Sequence, residues 1–142
     1  MKPAENRYNK CMYFVSNALA RKTEKLASEV WKKVNLSPSH AYLLMIVLED
    51  PGVQPGSLSA ELHLTPSTIT RLLEKLEAKK LVIRTTEGKI SNVYPTAKSR
   101  ELQPQLFACA EEFVRNYSAI LGKEESARLV NNMNKMVDKL AT

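Results

Sequence analysis

The chain has 142 residues and a formal net charge of +6, with 44% apolar and 25% charged residues. These values are ordinary for one globular domain with its own core, and they exclude a low-complexity chain. The longest apolar run, residues 41–48, is far shorter than the ~20 residues of a bilayer-spanning helix, so no membrane partner is expected. The first ten residues, MKPAENRYNK, lack the apolar segment of a signal peptide, which predicts a cytoplasmic protein.

The positive charge is unevenly distributed along the chain. Residues 1–36 hold eight Lys or Arg against three acids, whereas residues 37–97 hold six of each. A net positive charge favours a polyanionic partner without establishing one. The two cysteines and two histidines follow no metal-binding spacing, so we expect neither a metal site nor a cofactor.

A long amphipathic helix is predicted over residues 8–34. Its apolar side is a narrow stripe of Met12, Val15, Leu19, Thr23, Leu26 and Val30, spaced by three or four residues. A narrow stripe on a long helix is typical of a surface that pairs with another helix. An ordinary core-facing helix is the alternative. Residues 97–121 repeat the pattern, and a last helix is predicted over residues 124–140.

Two further helices precede the middle of the chain. Ser37 and Pro38 have the residue types of an N-cap and first helical position, and the body that follows is apolar nearly all round. This helix is therefore expected to be the most buried one. Asp50, Pro51 and Gly52 end it, and a short helix over residues 55–62 follows before a tight turn at His63.

The helix predicted over residues 66–79 has two contrasting faces. Thr65 is its candidate N-cap and Pro66 its first residue. One face is apolar, with Ile69, Leu72, Leu73 and Leu76. The other carries small hydroxyls followed by long cations, namely Ser67, Thr68, Thr70, Arg71 and Lys75. A solvated face more often mixes Glu with Lys, so this face is suited to contact a partner.

The periodicity then changes from 3.6 to 2, which predicts a β-hairpin. Its strands are expected over residues 81–86 and 89–94, with the turn at Glu87 and Gly88, because glycine tolerates the positive φ of tight hairpin turns. Thr96 is the candidate cap of the next helix. Helix, tight turn, helix and hairpin is the order of a winged helix-turn-helix, whose second helix enters the DNA major groove.

The run SLSAELHLTPSTITRLLEKLEAKKLVIR, residues 57–84, resembles the winged helix-turn-helix of the MarR family of bacterial transcriptional regulators. Residues 65–71 and 76–82 match the start and the end of that family's recognition helix, and residues 94–102 are similar to its segment after the wing. The resemblance implies a mainly α fold with a small β-hairpin wing. It also implies one domain over residues 1–142, with a DNA-binding lobe at 37–96 and dimerisation helices at 8–34 and 97–142.

This resemblance implies a homodimer that binds a pseudo-palindromic double-stranded DNA operator, and a repressor relieved by a small amphipathic effector. The DNA-binding residues are then expected to be Ser67, Thr68, Thr70, Arg71, Lys75, Arg84 and Lys89. The family's wing arginine is missing at the tip of this hairpin, where only Arg84 and Lys89 could substitute. His63 and Lys80 stand where the family often has glycine, and His63 is expected to adopt positive φ.

The resemblance also implies a pocket that binds the small amphipathic effector. The candidate pocket residues are Tyr13, Trp31, His40, Tyr42 and Met45. Family members that sense peroxide use a cysteine on the first helix, so a thiol-sensing regulator acting through Cys11 is an alternative. A winged-helix protein-interaction module is a second alternative, although it should expose apolar residues on the 66–75 face. An enzyme is not expected, because the sequence has no nucleophile–base pair, phosphate loop or metal cluster.

Overall fold

The computed structural model describes residues 7–141. The helices are α1 (Met12–Trp31), α2 (Pro38–Glu49), α3 (Pro55–Leu62), α4 (Pro66–Ala78), α5 (Ala97–Leu121) and α6 (Lys123–Leu140), and the strands are β1 (Val82–Glu87) and β2 (Ile90–Pro95). This confirms the predicted fold class, mainly α with a hairpin wing. Residues 1–6 and 142 lie outside the described residues. These are the ends of the predicted domain, and residues 1–6 also belong to the N-terminus that was predicted to lack a signal peptide.

Three helices begin at the predicted caps because their first turns have few hydrogen-bond partners of their own. The side chains of Ser37, Thr65 and Thr96 each accept a hydrogen bond from the backbone N–H three residues later. Pro38 and Pro66 follow two of these caps, at a position where a missing N–H costs nothing.

The first helix is shorter than the predicted span of residues 8–34. Residues 7–10 form a turn, which the N–H of Cys11 closes on the carbonyl of Tyr8, and the α-helix begins at Met12. It ends at Trp31, and a 3-10 helix, Lys32–Val34, follows. Asn35, in the left-handed conformation with φ of 58°, terminates this extension.

The core is built around α2, as its sequence predicted. This helix packs against α1, α4, α5 and β2, and Leu43, Leu44 and Val47 on it are fully buried. Trp31 from α1 and Leu106 from α5 are also fully buried in the same core. Each such side chain contributes roughly 1.5–3 kcal/mol when removed from water. The lobe that carries α3, α4 and the hairpin is therefore fixed to the long helices.

The hairpin register differs by one residue from the prediction. Glu87 pairs with Ile90, so the turn consists of Gly88 and Lys89 rather than Glu87 and Gly88. Gly88 has φ of +63° at the first central position, where a type II′ turn favours glycine. At the other end, Val93 exchanges backbone hydrogen bonds with Gly52 and Val53, which joins the wing to the loop after α2.

The outer helices leave much apolar surface exposed. On α1, Met12 and Val15 of the predicted stripe are 63% and 47% exposed, whereas only the end of the helix is buried. Helix α5 packs against α1 and α6. Exposed apolar side chains on α5 and α6 include Val114, Ile120, Val130, Met136, Val137 and Leu140. Among residues 7–141, no helix is long and apolar enough to cross a bilayer.

Candidate nucleic-acid interface

Helix α4 is fixed by its apolar face and presents its polar face outward. Ile69, Leu73 and Leu76 are fully buried, and Leu72 is 9% exposed. On the opposite side, the structure leaves four of the five predicted contact residues exposed, namely Ser67, Thr70, Arg71 and Lys75. The fifth, Thr68, is half-buried. The structure therefore has one buried and one outward face on α4, as the sequence pattern predicted.

Hydroxyl groups cluster at the N-terminus of α4. The hydroxyl oxygen of Thr65 lies 3.0 Å from that of Thr68 and 3.3 Å from that of Ser67. The hydroxyl of Thr70 donates to the carbonyl of Pro66 at 3.0 Å, so its oxygen remains an acceptor and its methyl group stays at the surface. Short side chains at the positive end of a helix permit close approach of phosphates and base edges.

Arg71 extends from the same end of the polar face. One guanidinium nitrogen donates to the hydroxyl of Thr68 at 3.4 Å. Within the described part of the chain, Arg71 forms no ion pair with Glu74, its nearest acidic neighbour on the helix. A guanidinium has five donors, so Arg71 keeps the fork that pairs with guanine or phosphate.

The turn between α3 and α4 is held by a side chain that the sequence analysis did not single out. His63 adopts φ of 54°, as predicted, and the N–H of Leu64 donates to the carbonyl of Ser59 at 3.2 Å. The hydroxyl of Ser59 donates in return to the carbonyl of Leu64 at 2.5 Å. The signal was present in the sequence, because a serine just before a turn can bond to nearby backbone groups. Lys80 also has positive φ, at 61°.

The two wing cations occupy different places. Arg84 lies within β1 opposite Val93, and it forms a 2.6 Å ion pair with Glu77 of α4. Its guanidinium is therefore held against α4 and away from the tip of the hairpin, and its contact with DNA stays a prediction. Lys89 lies in the turn and is exposed. The tip of this wing thus offers an ammonium group.

A large apolar cavity of about 850 Å³ lies among α1, α2, α5 and α6. Tyr42 is the one predicted pocket residue that lines it. Burial raises the pKa of the Tyr42 hydroxyl, so the group remains a hydrogen-bond donor at neutral pH. Leu62 and Leu64, on either side of His63, also belong to its wall. Other lining residues, none of which was expected in a pocket, include Leu26, Phe113, Tyr117, Leu129 and Met133.

The remaining predicted pocket residues do not meet in this cavity. Trp31 is fully buried beside it, with its ring 5.4 Å from that of Tyr42, and Met45 is a core residue with 8% exposure. Tyr13 is 68% exposed near the start of α1. His40 lines a separate, smaller polar cavity. Aromatic and methionine residues could not be sorted into core and pocket from spacing alone, because the sorting depends on how four helices pack.

Cys11 is half-exposed at the N-cap position of α1, whereas Cys109 is buried. Near Cys11, the ring of Tyr8 stacks on that of Phe14 with centroids 4.9 Å apart. Both thiols are free. Among the described residues, no group of three or more His, Cys, Asp or Glu side chains is arranged to hold a metal ion.

Comparison with known proteins gives the same architecture. Residues 34–89 match the model of the MarR family. The chain is 25% identical over 139 residues to the HTH-type transcriptional regulator SarZ of Staphylococcus epidermidis, covering 95% of this chain and 93% of that protein.

Two solved structures share the fold. The S. aureus MepR–DNA complex superposes with a TM-score of 0.78 at 19% identity, covering 96% of this chain and 100% of that one. CouR from Rhodococcus jostii RHA1, bound to p-coumaroyl-CoA, superposes with a TM-score of 0.75 at 19% identity, covering 96% and 95%.

Proposed function

We propose that this chain is a DNA-binding transcriptional regulator of the MarR family and that it acts in the cytoplasm as a homodimeric repressor. In this proposal residues 37–96 form the DNA-binding lobe, and residues 8–34 and 97–142 form the dimerisation region. The dimer binds a pseudo-palindromic operator and is released by a small amphipathic effector.

The observation that carries the proposal is the exposed face of α4. Its apolar residues are buried in the lobe, and its outward face combines hydroxyls with Arg71 and Lys75. A protein-docking face would expose apolar side chains, as hydrophobic interface cores require. Hydroxyls and cations match the donors and acceptors of phosphates and major-groove base edges. In the proposed complex, Ser67, Thr68, Thr70 and Arg71 read the groove, and Lys75 and Lys89 contact phosphates.

Dimerisation is supported by the exposed apolar residues of the outer helices. The first half of α1 exposes Met12, Phe14 and Val15, and the end of α6 exposes Val137 and Leu140. Both groups lie near the ends of the described chain, and grouped exposed apolar residues of this kind mark interaction surfaces. A second copy would cover them and place two α4 helices on one duplex, with half-sites ~10 bp apart from centre to centre.

Effector control is supported by the apolar cavity and its relation to the turn. A volume of about 850 Å³ is within the range of small-molecule sites. The Tyr42 hydroxyl supplies a polar group on an otherwise mostly apolar wall. Because Leu62 and Leu64 belong to that wall, a ligand there would contact both sides of the turn that orients α4. The proposed effector is therefore amphipathic, with an apolar body and a polar end.

Selection of DNA fragments from a random pool tests this function. We expect enrichment of a pseudo-palindrome with half-sites ~10 bp apart. Enrichment of a single half-site would remove the dimer from the proposal, and no enrichment would remove sequence-specific binding.

Substitution of Arg71 identifies the reading face. Arg71→Ala should cost ~1–3 kcal/mol of specific binding and relax the preference at one base position. Arg100→Ala, on the exposed surface of α5, is the matched control and should bind like the wild type. Lys75→Ala should lower the salt slope of binding by about one unit. Equal losses for Arg71→Ala on operator and scrambled DNA would assign Arg71 to phosphate.

A further inference from the structure

A second, polar cavity of about 310 Å³ lies beside α4, away from the apolar one. Its wall is formed by the end of α1, the segment that leads into α2 and the last turns of α4. Three lysines line it, namely Lys32, Lys75 and Lys79, together with Ser37 and His40. No carboxylate is among its lining residues.

The charges on this wall are not compensated by the protein. In the part of the chain that the structure describes, the ammonium groups of Lys32 and Lys75 form neither an ion pair nor a hydrogen bond. Lys79 donates one hydrogen bond to the carbonyl of Asn35 at 2.9 Å, a neutral acceptor. Three ammonium groups that share a cavity repel one another, and an anion between them would offset that repulsion.

His40 reports the positive field inside the cavity. Burial lowers the pKa of its imidazole, and the charges of Lys75 and Lys79 lower it further. The lowered pKa favours the neutral ring, and its Nδ1 lies 2.5 Å from the hydroxyl oxygen of Ser37, which holds its orientation. A neutral imidazole in this orientation adds hydrogen-bonding capacity to the wall without adding a fourth positive charge.

We propose that this cavity binds a phosphate group. Three cations suit a dianion better than a single carboxylate, and Ser37 and His40 add hydrogen-bonding groups beside the ammonium groups of Lys32, Lys75 and Lys79. The phosphate comes either from a small phosphorylated molecule or from the DNA backbone. Lys75 belongs both to this wall and to the exposed face of α4, so a free phosphorylated molecule bound here competes with DNA for that lysine. This consequence rests on the proposed function, whereas the site itself does not.

Proton NMR of the histidine rings in the free protein tests the site. The chain has two histidines, so His63 is an internal reference for His40. Inorganic phosphate, compared with chloride at equal ionic strength, should raise the pKa of His40 by about one unit and leave His63 unmoved. Parallel shifts of both histidines, or an equal effect of chloride, would overturn the proposal.

Variants locate the site. Lys32→Gln should weaken phosphate binding, read from His40, at least tenfold. Lys25→Gln removes the same charge from an exposed position two helical turns earlier, outside the cavity wall, and should bind phosphate as the wild type does. Both positions are exposed, so neither variant threatens the fold. Equal affinity in the Lys32→Gln protein and the wild type would refute the site.

The source of the phosphate follows from DNA binding by Lys32→Gln. A salt slope lower by about one unit assigns the site to a backbone phosphate, and an unchanged slope assigns it to a free phosphorylated molecule. The NMR titration needs no DNA. Failure of DNA binding with a normal phosphate response would therefore count against the proposed function and leave the phosphate site standing.

Discussion

Glu77 and Arg84 form a 2.6 Å ion pair that joins α4 to the first strand of the wing. Both side chains are about one-third exposed, so solvent screening limits the contribution of the pair to roughly 1 kcal/mol or less. Its main consequence is positional. The arginine of this wing is neutralised and held beside α4, which leaves Lys89 as the cation of the tip.

Release of Arg84 should therefore strengthen DNA binding. In Glu77→Gln the guanidinium becomes free to contact phosphate, and the salt slope of binding should rise by about one unit. Glu74→Gln removes the same charge from the same helix without releasing an arginine. If both variants gain equally, loss of negative charge explains the effect and the ion pair does not restrain Arg84.

Charges placed on the apolar face of α6 should dissociate the proposed dimer. Met136 and Leu140 are exposed and one helical turn apart, so the double variant Met136→Lys and Leu140→Lys buries two ammonium groups if this face is an interface. Sedimentation should show monomers at concentrations where the wild type is dimeric. Asn131→Lys, on the other face of α6, should remain a dimer, and dissociation of this control would contradict the assigned surface.

Loss of the Ser59 hydroxyl should destabilise the turn before α4. Ser59→Ala leaves the carbonyl of Leu64 without that donor, so the free energy of unfolding should fall by ~1 kcal/mol. Urea unfolding measures the change. Ser57→Ala, at an exposed position of the same helix, should be close to neutral. Equal stability of the two variants would mean that the backbone alone holds the turn.

The pKa of His40 predicts a specific pH dependence of stability. Because the pKa is lowered on folding, the unfolded chain binds the proton more readily than the folded one. Stability should therefore be unaffected above the unfolded value of about 6.5 and should fall as the pH drops below it, until the folded group also protonates. Thermal unfolding at several pH values should show this fall for the wild type.

Variants of the same cluster check the cause of that dependence. His40→Gln should flatten the part of the profile below pH ~6.5. Lys75→Gln removes one of the two charges that lower the pKa, so it should give an intermediate profile. An unchanged profile in His40→Gln would assign the pH dependence to other groups.

Occupancy of the apolar cavity can be followed from Trp31, the only tryptophan of the chain, whose ring lies 5.4 Å from that of Tyr42 on the cavity wall. The dye anilinonaphthalene sulfonate, an amphipathic anion, should bind there and receive energy from Trp31. The cavity-filling variant is the double substitution Met133→Phe with Leu129→Phe, which adds no second tryptophan as an energy donor. It should weaken dye binding at least tenfold. Ile83→Phe, at an exposed position of β1 outside the cavity wall, should bind the dye normally.

Local sequence signals predicted the helices and strands, whereas features that depend on contacts between them could not be predicted. Thr65 and Pro66 fixed the start of α4, and leucines at helical spacing fixed its buried face, because caps and periodicity act over a few residues. The hairpin register was wrong by one residue, since glycine fits either turn position. The ion pair of Arg84 joins two elements, and no sequence rule specifies its partner.

The candidate pocket was harder to predict than the DNA-binding face. The residue spacing within one helix shows which side chains share a face. A cavity, in contrast, is formed by several helices, so its lining depends on how they pack. Of the five expected residues, Tyr42 alone lines the apolar cavity, and Tyr13 lies exposed near the start of α1. Phe113 and Tyr117 line it from α5, where the same spacing had suggested a surface for pairing helices.

The leucines on either side of His63 connect the apolar cavity to the start of α4. Because Leu62 and Leu64 belong to the cavity wall and flank the bend that aims α4, the proposed effector site and the proposed reading helix share one piece of chain. In the proposed dimer each subunit thus has its own connection between the cavity and α4. One occupied copy in a pair would disengage its own half of the operator first, so response to rising effector should be graded before it is complete.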